Sequence, residues 1–194
     1  MAPILGPKII LCKMILVRNL ILSFVVALVC LSCSEKQDFS QYDDLTITPT
    51  FETSIFYVKT QESIINRVSG ISFFSQDFNF DAFEEDVFAE RVLEGSITYE
   101  LENTTSKDIQ ISIEFLNENG DVLDSEFFQM NAAPTALLTR VVAYGGANKS
   151  LDILRNTTQI RLSARNLGDN TSTSSLPDPA IVLSSSAKFM VRVK

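Results

Sequence analysis

The sequence predicts an all-β chain, a single antiparallel sandwich of about eight strands with one or two short helical turns, preceded by a leader that is cleaved off. Three observations lead there. Short segments rich in Val, Ile, Phe, Tyr and Thr recur along the chain, with turn signals about every 8 to 15 residues. Several of these segments alternate apolar with polar residues, as half-buried strands do. No long amphipathic helix follows any strand, so the βαβ rhythm of a parallel sheet is missing.

Taken in order, the chain begins with a basic stretch (Lys8, Lys13, Arg18), then an apolar run from Leu20 to Leu31 broken only by Ser23, then Ser32 and Cys33. That is the order of a secretory leader. The apolar run is about a dozen residues, short of the roughly 20 that span a bilayer. Met14 offers a second start with a leader of ordinary length. Leu31, Ser32 and Cys33 resemble the lipobox of bacterial lipoproteins, and this implies a diacylglyceryl group on Cys33 and removal of residues 1–32. Cys30 fits the pattern less well, because Val29 would precede the cut. Residues 33–44 are polar and read as the lipidated end and its tether. Glu35 and Asp38 loosely resemble the export signal of surface lipoproteins in the Bacteroidota. The resemblance implies an outer-membrane, lipid-anchored location, with a surface-exposed and a periplasm-facing domain both open.

A single sandwich domain is expected over 45–194. Its first strands are read at 45–47 and 51–58, with Pro49 marking an edge or bend. Thr60 is expected to cap a short helix carrying Ile64, Ile65 and Val68, ended by Gly70. A strand follows at 71–74. Asp81 and Glu84 form a capping-box pattern, so a helical turn is predicted near 82–88, leading into a strand by about residue 92. The alternation Ile97, Tyr99, Leu101, then the turn 103–107, then Ile109, Ile111, Ile113, Phe115 predicts two half-buried antiparallel strands. Gly120 supplies a hairpin turn before a strand over 122–130. Strands are read at 136–144 and 159–165, with Ser150 capping one helical turn between them. The polar segment 168–179 is a long loop, and 181–193 forms the last strand. The pattern is similar to immunoglobulin-like sandwiches in architecture, although their Cys, Trp, Cys framework is absent.

Composition removes several kinds of chemistry. The chain has 16 Lys and Arg against 24 Asp and Glu, and three of the basic residues lie in the leader. What remains is strongly acidic, and a nucleic-acid-binding surface needs the opposite sign. All three cysteines (Cys12, Cys30, Cys33) lie in or at the end of the leader, and there is no histidine. A disulfide, a thiolate metal site and a His-based catalytic centre are excluded from the domain.

Two groups of residues stand out as candidate sites. Asp77, Asn79 and Asp81, at alternate positions, with Glu84 nearby, carry the oxygen pattern of a calcium loop. Ala82 and Phe88 stand where an EF-hand needs Gly and Glu, so only a looser Ca2+ site is expected; otherwise no cofactor is implied. Binding loops are expected at 75–86, presenting Asp77, Phe78 and Phe80, and at 168–179, presenting Asp169 and Asn170. The phenylalanines around them (Phe73, Phe74, Phe83, Phe88) suit a core as well as a sticky surface, and a chain without Trp favours a protein partner over a glycan. The sequons at Asn103, Asn148, Asn156 and Asn170 read as turn residues. The expectation is a non-catalytic binding or scaffolding module held at the membrane by its lipid. A structural accessory subunit of an outer-membrane complex is the alternative, and a hydrolase using carboxylates stands behind both.

Overall fold

The structure, a computed structural model, describes residues 7–31, 46–68, 72–80, 83, 86–133 and 136–193. It contains two compact units, Met1–Leu45 and Thr46–Lys194. In the first, helix α1 runs Pro7–Leu31. It is longer than the apolar run because the preceding basic segment, rich in Leu, Ile and Lys, continues the helix. The apolar run from Leu20 to Leu31 rises about 18 Å, against a hydrocarbon core of about 30 Å. Among the described residues no helix is long and apolar enough to cross a membrane. Cys33 and the expected tether lie outside the described residues.

In the second unit the elements follow in the order β1 (Thr50–Gln61), α2 (Glu62–Ile65), β2 (Ser72–Asn79), α3 (Asp86–Arg91), β3 (Val92–Asn103), β4 (Ile109–Leu116), β5 (Val122–Met130), β6 (Ala136–Tyr144), α4 (Leu151–Arg155), β7 (Gln159–Asn166) and β8 (Ala180–Val191). They form two antiparallel four-stranded sheets, β1-β8-β3-β6 and β2-β7-β4-β5. The β-sandwich of eight strands expected from the sequence is therefore present. Its strand order is that of a jelly roll, in which each half of the chain contributes to both sheets. The likeness to immunoglobulin sandwiches holds for the two-sheet antiparallel architecture, while the strand order differs from theirs.

Alternation builds the core. Ile109, Ile111, Ile113 and Phe115 of β4 are all buried, and so are Ile97, Tyr99 and Leu101 of β3. Each such side chain contributes about 1.5–3 kcal/mol relative to exposure. Rings tie the sheets together: Phe56 stacks on Phe78 at 5.5 Å, and Tyr99 meets Phe128 at 5.4 Å. The intervening residues, Ser112, Glu114, Thr98 and Glu100 among them, lie on the outer faces of the sheets.

Local signals were obeyed in most places and overridden in a few. Gly120 takes φ +82° and closes the β4–β5 turn by donating its N–H to Asn117 O at 2.9 Å. Ser150 caps α4 by accepting the Asp152 N–H at 3.1 Å. Pro49 does precede an edge strand, β1. Thr60 is not a helix cap. It is the buried penultimate residue of β1, and α2 starts after Gln61 with no side-chain cap. The helical turn expected at 82–88 lies at Asp86–Arg91 among the described residues and runs directly into β3. The strand expected at 71–74 extends to Asn79, which changes how its acidic residues must be read.

Candidate functional site

The end of the sandwich where β1, β3 and β7 finish and β4 and β8 begin carries a buried polar network. It is built on the turn between β3 and β4. Asn103 is fully buried, and its side chain satisfies all of its capacity. Its Nδ2 donates to Lys107 O (2.8 Å) and Asn131 O (2.7 Å), and its Oδ1 accepts from Thr105 N (3.0 Å) and Thr105 Oγ1 (2.7 Å). That folds the turn so that Lys107, 0% exposed, points inward.

Lys107 holds the long loop between β7 and β8. Its ammonium has three protons, and they meet Asp169 Oδ1 (3.1 Å), Ser172 O (2.8 Å) and Ser172 Oγ (2.6 Å). Asp169 also caps its own turn, accepting the N–H groups of Ser172 (2.6 Å) and Thr171 (2.7 Å) through Oδ1. These backbone donors first, and the Lys107 ammonium after them, hold the Asp169 carboxyl far below the usual carboxylate range. Asn166 continues the scaffold by donating to Asp169 O (3.0 Å) and Asn170 Oδ1 (2.8 Å), while Asn170 Nδ2 reaches Val68 O at 3.1 Å.

Glu62, the first residue of α2 and 2% exposed, closes the network from a third direction. Its Oε1 accepts Ser106 N and Ser106 Oγ, each at 2.6 Å, and its Oε2 accepts Ser174 N at 2.8 Å. Burial pushes the Glu62 carboxyl up, but the donors from Ser106 and Ser174, with Lys107 nearby, outweigh it and hold the group below its ordinary value. Asn66, just after α2, donates to Ser172 O at 3.1 Å. Its Oδ1 is buried and has no hydrogen-bond partner among the described residues. Beside these residues opens a polar hollow of about 220 Å³ lined by Gln61, Glu62, Ser63, Asn66, Ser174 and Asp178, together with Thr173 and Pro179.

The sequence-predicted residues fall in different places. Asp169 and Asn170 do belong to this loop end, but their side chains hold the loop in place: Asp169 is turned to the loop's own backbone and to Lys107, and Asn170 to Asn166 and Val68 O. Asp77 and Asn79 are not in a loop. They lie on the outer face of edge strand β2, where Arg161 grips Asp77 with two hydrogen bonds (2.8 and 3.1 Å) and holds its carboxyl below the ordinary value. Asp81 and Glu84 lie outside the described residues, and no group of three metal-binding side chains occurs among the described ones. Phe78 and Phe80 are not surface anchors: Phe78 packs against the core and Phe80 is buried beside Phe83. Of the expected loop at 75–86, the residues up to Asn79 are strand, and Asp77 lies on the β2 face with Arg161, apart from Asp169 and Asn170.

A second charged cluster sits inside the open side of the sandwich, between β5 and β6. Asp124 and Glu126 point inward from β5. Lys149 Nζ bridges them at 2.6 and 2.7 Å, and Arg140 of β6 reaches Glu126 Oε2 at 3.1 Å. Burial, reinforced by the charges of Asp124 and Glu126, keeps the phenols of Tyr99 and Tyr144 protonated well above their ordinary range. Both carboxylates are neutralised by cations, so this constellation closes the sandwich edge.

Neither Lys107 nor Glu62 was picked out from the sequence. A buried lysine looks like any surface lysine in a turn. The signal available was the density of Asn, Ser, Thr and Asp on both sides of it and in 166–174, more side-chain hydrogen-bonding groups than two plain turns need.

No family model matches the chain, and no curated protein matches it. Among solved structures it is similar to the VP2 subviral particle of infectious bursal disease virus, at 12% identity and TM-score 0.36 over 77% of this chain and 33% of that one. It is similar to a Parabacteroides distasonis protein described as secreted, at 13% identity and TM-score 0.41 over 59% and 36%. It is also similar to the disulfide-linked pili of Bacillus endospore appendages, at 7% identity and TM-score 0.34 over 75% and 91%. The chain spans about a third of the length of the first of these. The fold stands on the strand order itself.

Proposed function

We propose that the chain is a lipid-anchored protein of the bacterial cell envelope whose sandwich is a non-catalytic binding module, presenting the loop end around residues 104–108 and 167–179 to a protein partner. The observation that carries this is the placement of the two ends of β1. The chain enters the sandwich at Pro49, whose carbonyl accepts Val191 N at 3.0 Å, with Ile47 O accepting Val193 N at 2.9 Å. The polar network begins where β1 ends, at Glu62. Twelve residues of strand separate the two, about 40 Å at 3.3 Å per residue. A lipid on Cys33 would thus tether the sandwich at one end and leave the locked loops at the other.

The internal lock supports binding over catalysis. Its ionisable groups are already matched to one another, and what it offers outward is a fixed loop surface with a polar hollow. Loops held on a rigid scaffold suit recognition, because little ordering entropy remains to be lost on binding. The outer edge of β6 from Leu137 to Val141, which pairs with no strand among the described residues, favours the alternative, a structural subunit docking through a sheet edge.

The test has two arms. Cys33→Ala is expected to move the protein from the membrane to the soluble fraction, and unchanged pelleting would refute the anchor. Protease shaving of intact and lysed cells then reports on which side of the outer membrane the loop end is displayed. For binding, cross-linking from Thr173→Cys in the loop surface is expected to trap one envelope protein that Ser125→Cys, on an outer sheet face, does not. Equal adducts from both positions would refute a loop-end site.

A further inference from the structure

The four edge strands of this sandwich are not treated alike. An open edge is a template for another strand, and edges are normally blunted by bulges, prolines or outward charges. Strand β1 has Pro49 before it, an extra residue at Ile55, and exposed Glu52 and Lys59. Strand β2 has an extra residue at Phe73 and carries Asp77 outward. Strand β5 has an extra residue at Leu123 and two inward carboxylates. Strand β6 runs opposite β3 in unbroken register from Ala136 to Tyr144. Its one charge, Arg140, is turned in, donating to Glu126 Oε2 and to Phe127 O, both at 3.1 Å, with its guanidinium 4.3 Å from the Phe128 ring centre.

The outer face of β6 is apolar and exposed: Leu137 is 76% and Val141 60% accessible, with Thr139 between them. Its hydrogen-bonding edge is open as well. Lys149 N donates to Ala143 O at 3.3 Å, and the Lys149 ammonium lies on the β5 side, so the Ala143 carbonyl faces the free edge. The two-residue alternation of a strand then turns the N–H and C=O groups of Leu137, Thr139 and Val141 the same way. Among the described residues, no strand pairs with them.

We infer that β6 is a self-association edge, pairing antiparallel with β6 of a second copy about a two-fold axis at Thr139. The occupant follows from the strand's own pattern. Centred on Thr139, the pairing sets Leu137 opposite the second copy's Val141, Thr139 opposite itself, and Val141 opposite Leu137. Every outer-face pair is then apolar or β-branched, as stable cross-strand pairs are. The three outward-facing residues of each copy exchange about six main-chain hydrogen bonds, and the pairing stops short of Ala143, where Lys149 already occupies the edge. The result is an isologous dimer with one continuous eight-stranded sheet. Electrostatics points to the same edge. Each copy is acidic overall, at −8 for the whole chain, so two copies repel across most of their surface, and the charge-free row Leu137, Thr139, Val141 is where approach costs least.

The register gives a sharp test on the full-length chain in its own membranes. In a Cys12→Ser, Cys30→Ser background, Thr139→Cys places two thiols across a directly opposed pair, within the Cα separation of about 4.4–6.8 Å that a disulfide requires. Oxidation is expected to give a disulfide dimer of twice the chain mass on a non-reducing gel, well above the background without the Thr139 change. Leu137→Cys is expected not to cross-link with itself, but to do so when co-expressed with Val141→Cys. Adding Val141→Lys to the Thr139→Cys chain is expected to abolish the dimer while leaving the circular dichroism spectrum of the folded domain unchanged, because residue 141 is exposed. The proposal is overturned if Thr139→Cys gives no dimer above background. It is equally overturned if Leu137→Cys self-links as readily as Thr139→Cys, or if Thr139→Cys forms its adduct with a different protein.

Discussion

Replacing Lys107 with Met removes the ammonium and keeps most of the apolar stem, which isolates what the charge contributes to the loop end. Three hydrogen bonds are lost, to Asp169 Oδ1, Ser172 O and Ser172 Oγ. A hydrogen bond to a charged group is worth about 1.5–3 kcal/mol, but the groups left behind are only partly stranded. Ser172 O keeps the Asn66 amide, Asp169 Oδ1 keeps the N–H groups of Thr171 and Ser172, and the Asp169 side chain is 59% exposed and can be rehydrated. The net cost is therefore set at about 2 kcal/mol, near one full charged bond. Lys107→Ala also deletes about three buried methylene-sized groups at about 0.8 kcal/mol each, for a total of about 4 kcal/mol. For a domain near 150 residues these correspond to falls in melting temperature of about 4–8 °C and 8–16 °C. Thermal unfolding followed by near-ultraviolet circular dichroism measures both, and limited proteolysis should show earlier cutting within 167–179. A Lys107→Met protein melting within about 1 °C of the parent, with its loop equally resistant, would refute the lock.

Glu62 and Asp169 both have depressed folded-state pKa values. Their contribution is therefore present above the unfolded carboxylate range of about 4 and is lost as pH falls below it. Melting temperature should be level from pH 8 to about 5 and fall below about 4.5, and Glu62→Gln should melt lower at neutral pH with a shallower acid slope; an unchanged slope would remove Glu62 from the network. Gly95→Ala places a Cβ 2.8 Å from Phe189 Cδ1 in the core, and overpacking of this kind costs about 1–3 kcal/mol; an unshifted urea midpoint would show that the Phe189 ring moves freely. With Asp77 already held by Arg161, melting in Ca2+ and in chelator should give the same midpoint. A rise in Ca2+ that Asp77→Asn abolishes would restore the calcium site with Asp77, Asn79, Asp81 and Glu84.

The sequence made the inner strands legible because they are half-buried and their alternation is strict. β4 reads Ile-Gln-Ile-Ser-Ile-Glu-Phe, and its apolar residues are the buried ones. The same periodicity misled at 77–81. Asp-Phe-Asn-Phe-Asp offers its oxygens as the rungs of a calcium loop, but the informative residues are the phenylalanines between them. Phe78 turns inward, Asp77 and Asn79 turn outward, and alternate acidic residues are what the solvent face of an edge strand looks like. The polar lock was illegible for a different reason. Its partners are separated by 44 residues (Glu62 to Ser106), 62 (Lys107 to Asp169) and 112 (Glu62 to Ser174), and only the strand order brings them together.

That strand order also explains why polar side chains are buried at this end at all. In a jelly roll the connections between strands cross from one sheet to the other over the ends of the sandwich. The β3–β4 turn, the β7–β8 loop and α2 all pass over the same end, each carrying backbone N–H and C=O groups that no ladder satisfies. Apolar side chains there would cover the core and leave those groups unpaired. Asn103, Glu62 and Lys107 cover it and pair them, because each has several donors or acceptors on one stem. The expense is fragility to single changes: a network in which three side chains each hold several partners loses several of them when one is removed. Glu62→Gln and Lys107→Met should therefore be non-additive, with the double variant less destabilised than the sum of the two, since each single change disturbs the Ser106–Ser172 contact, 3.0 Å between hydroxyls, that both residues flank. Strict additivity in a double-mutant cycle would mean two independent anchors, and the loop end would then be two sites sharing a surface.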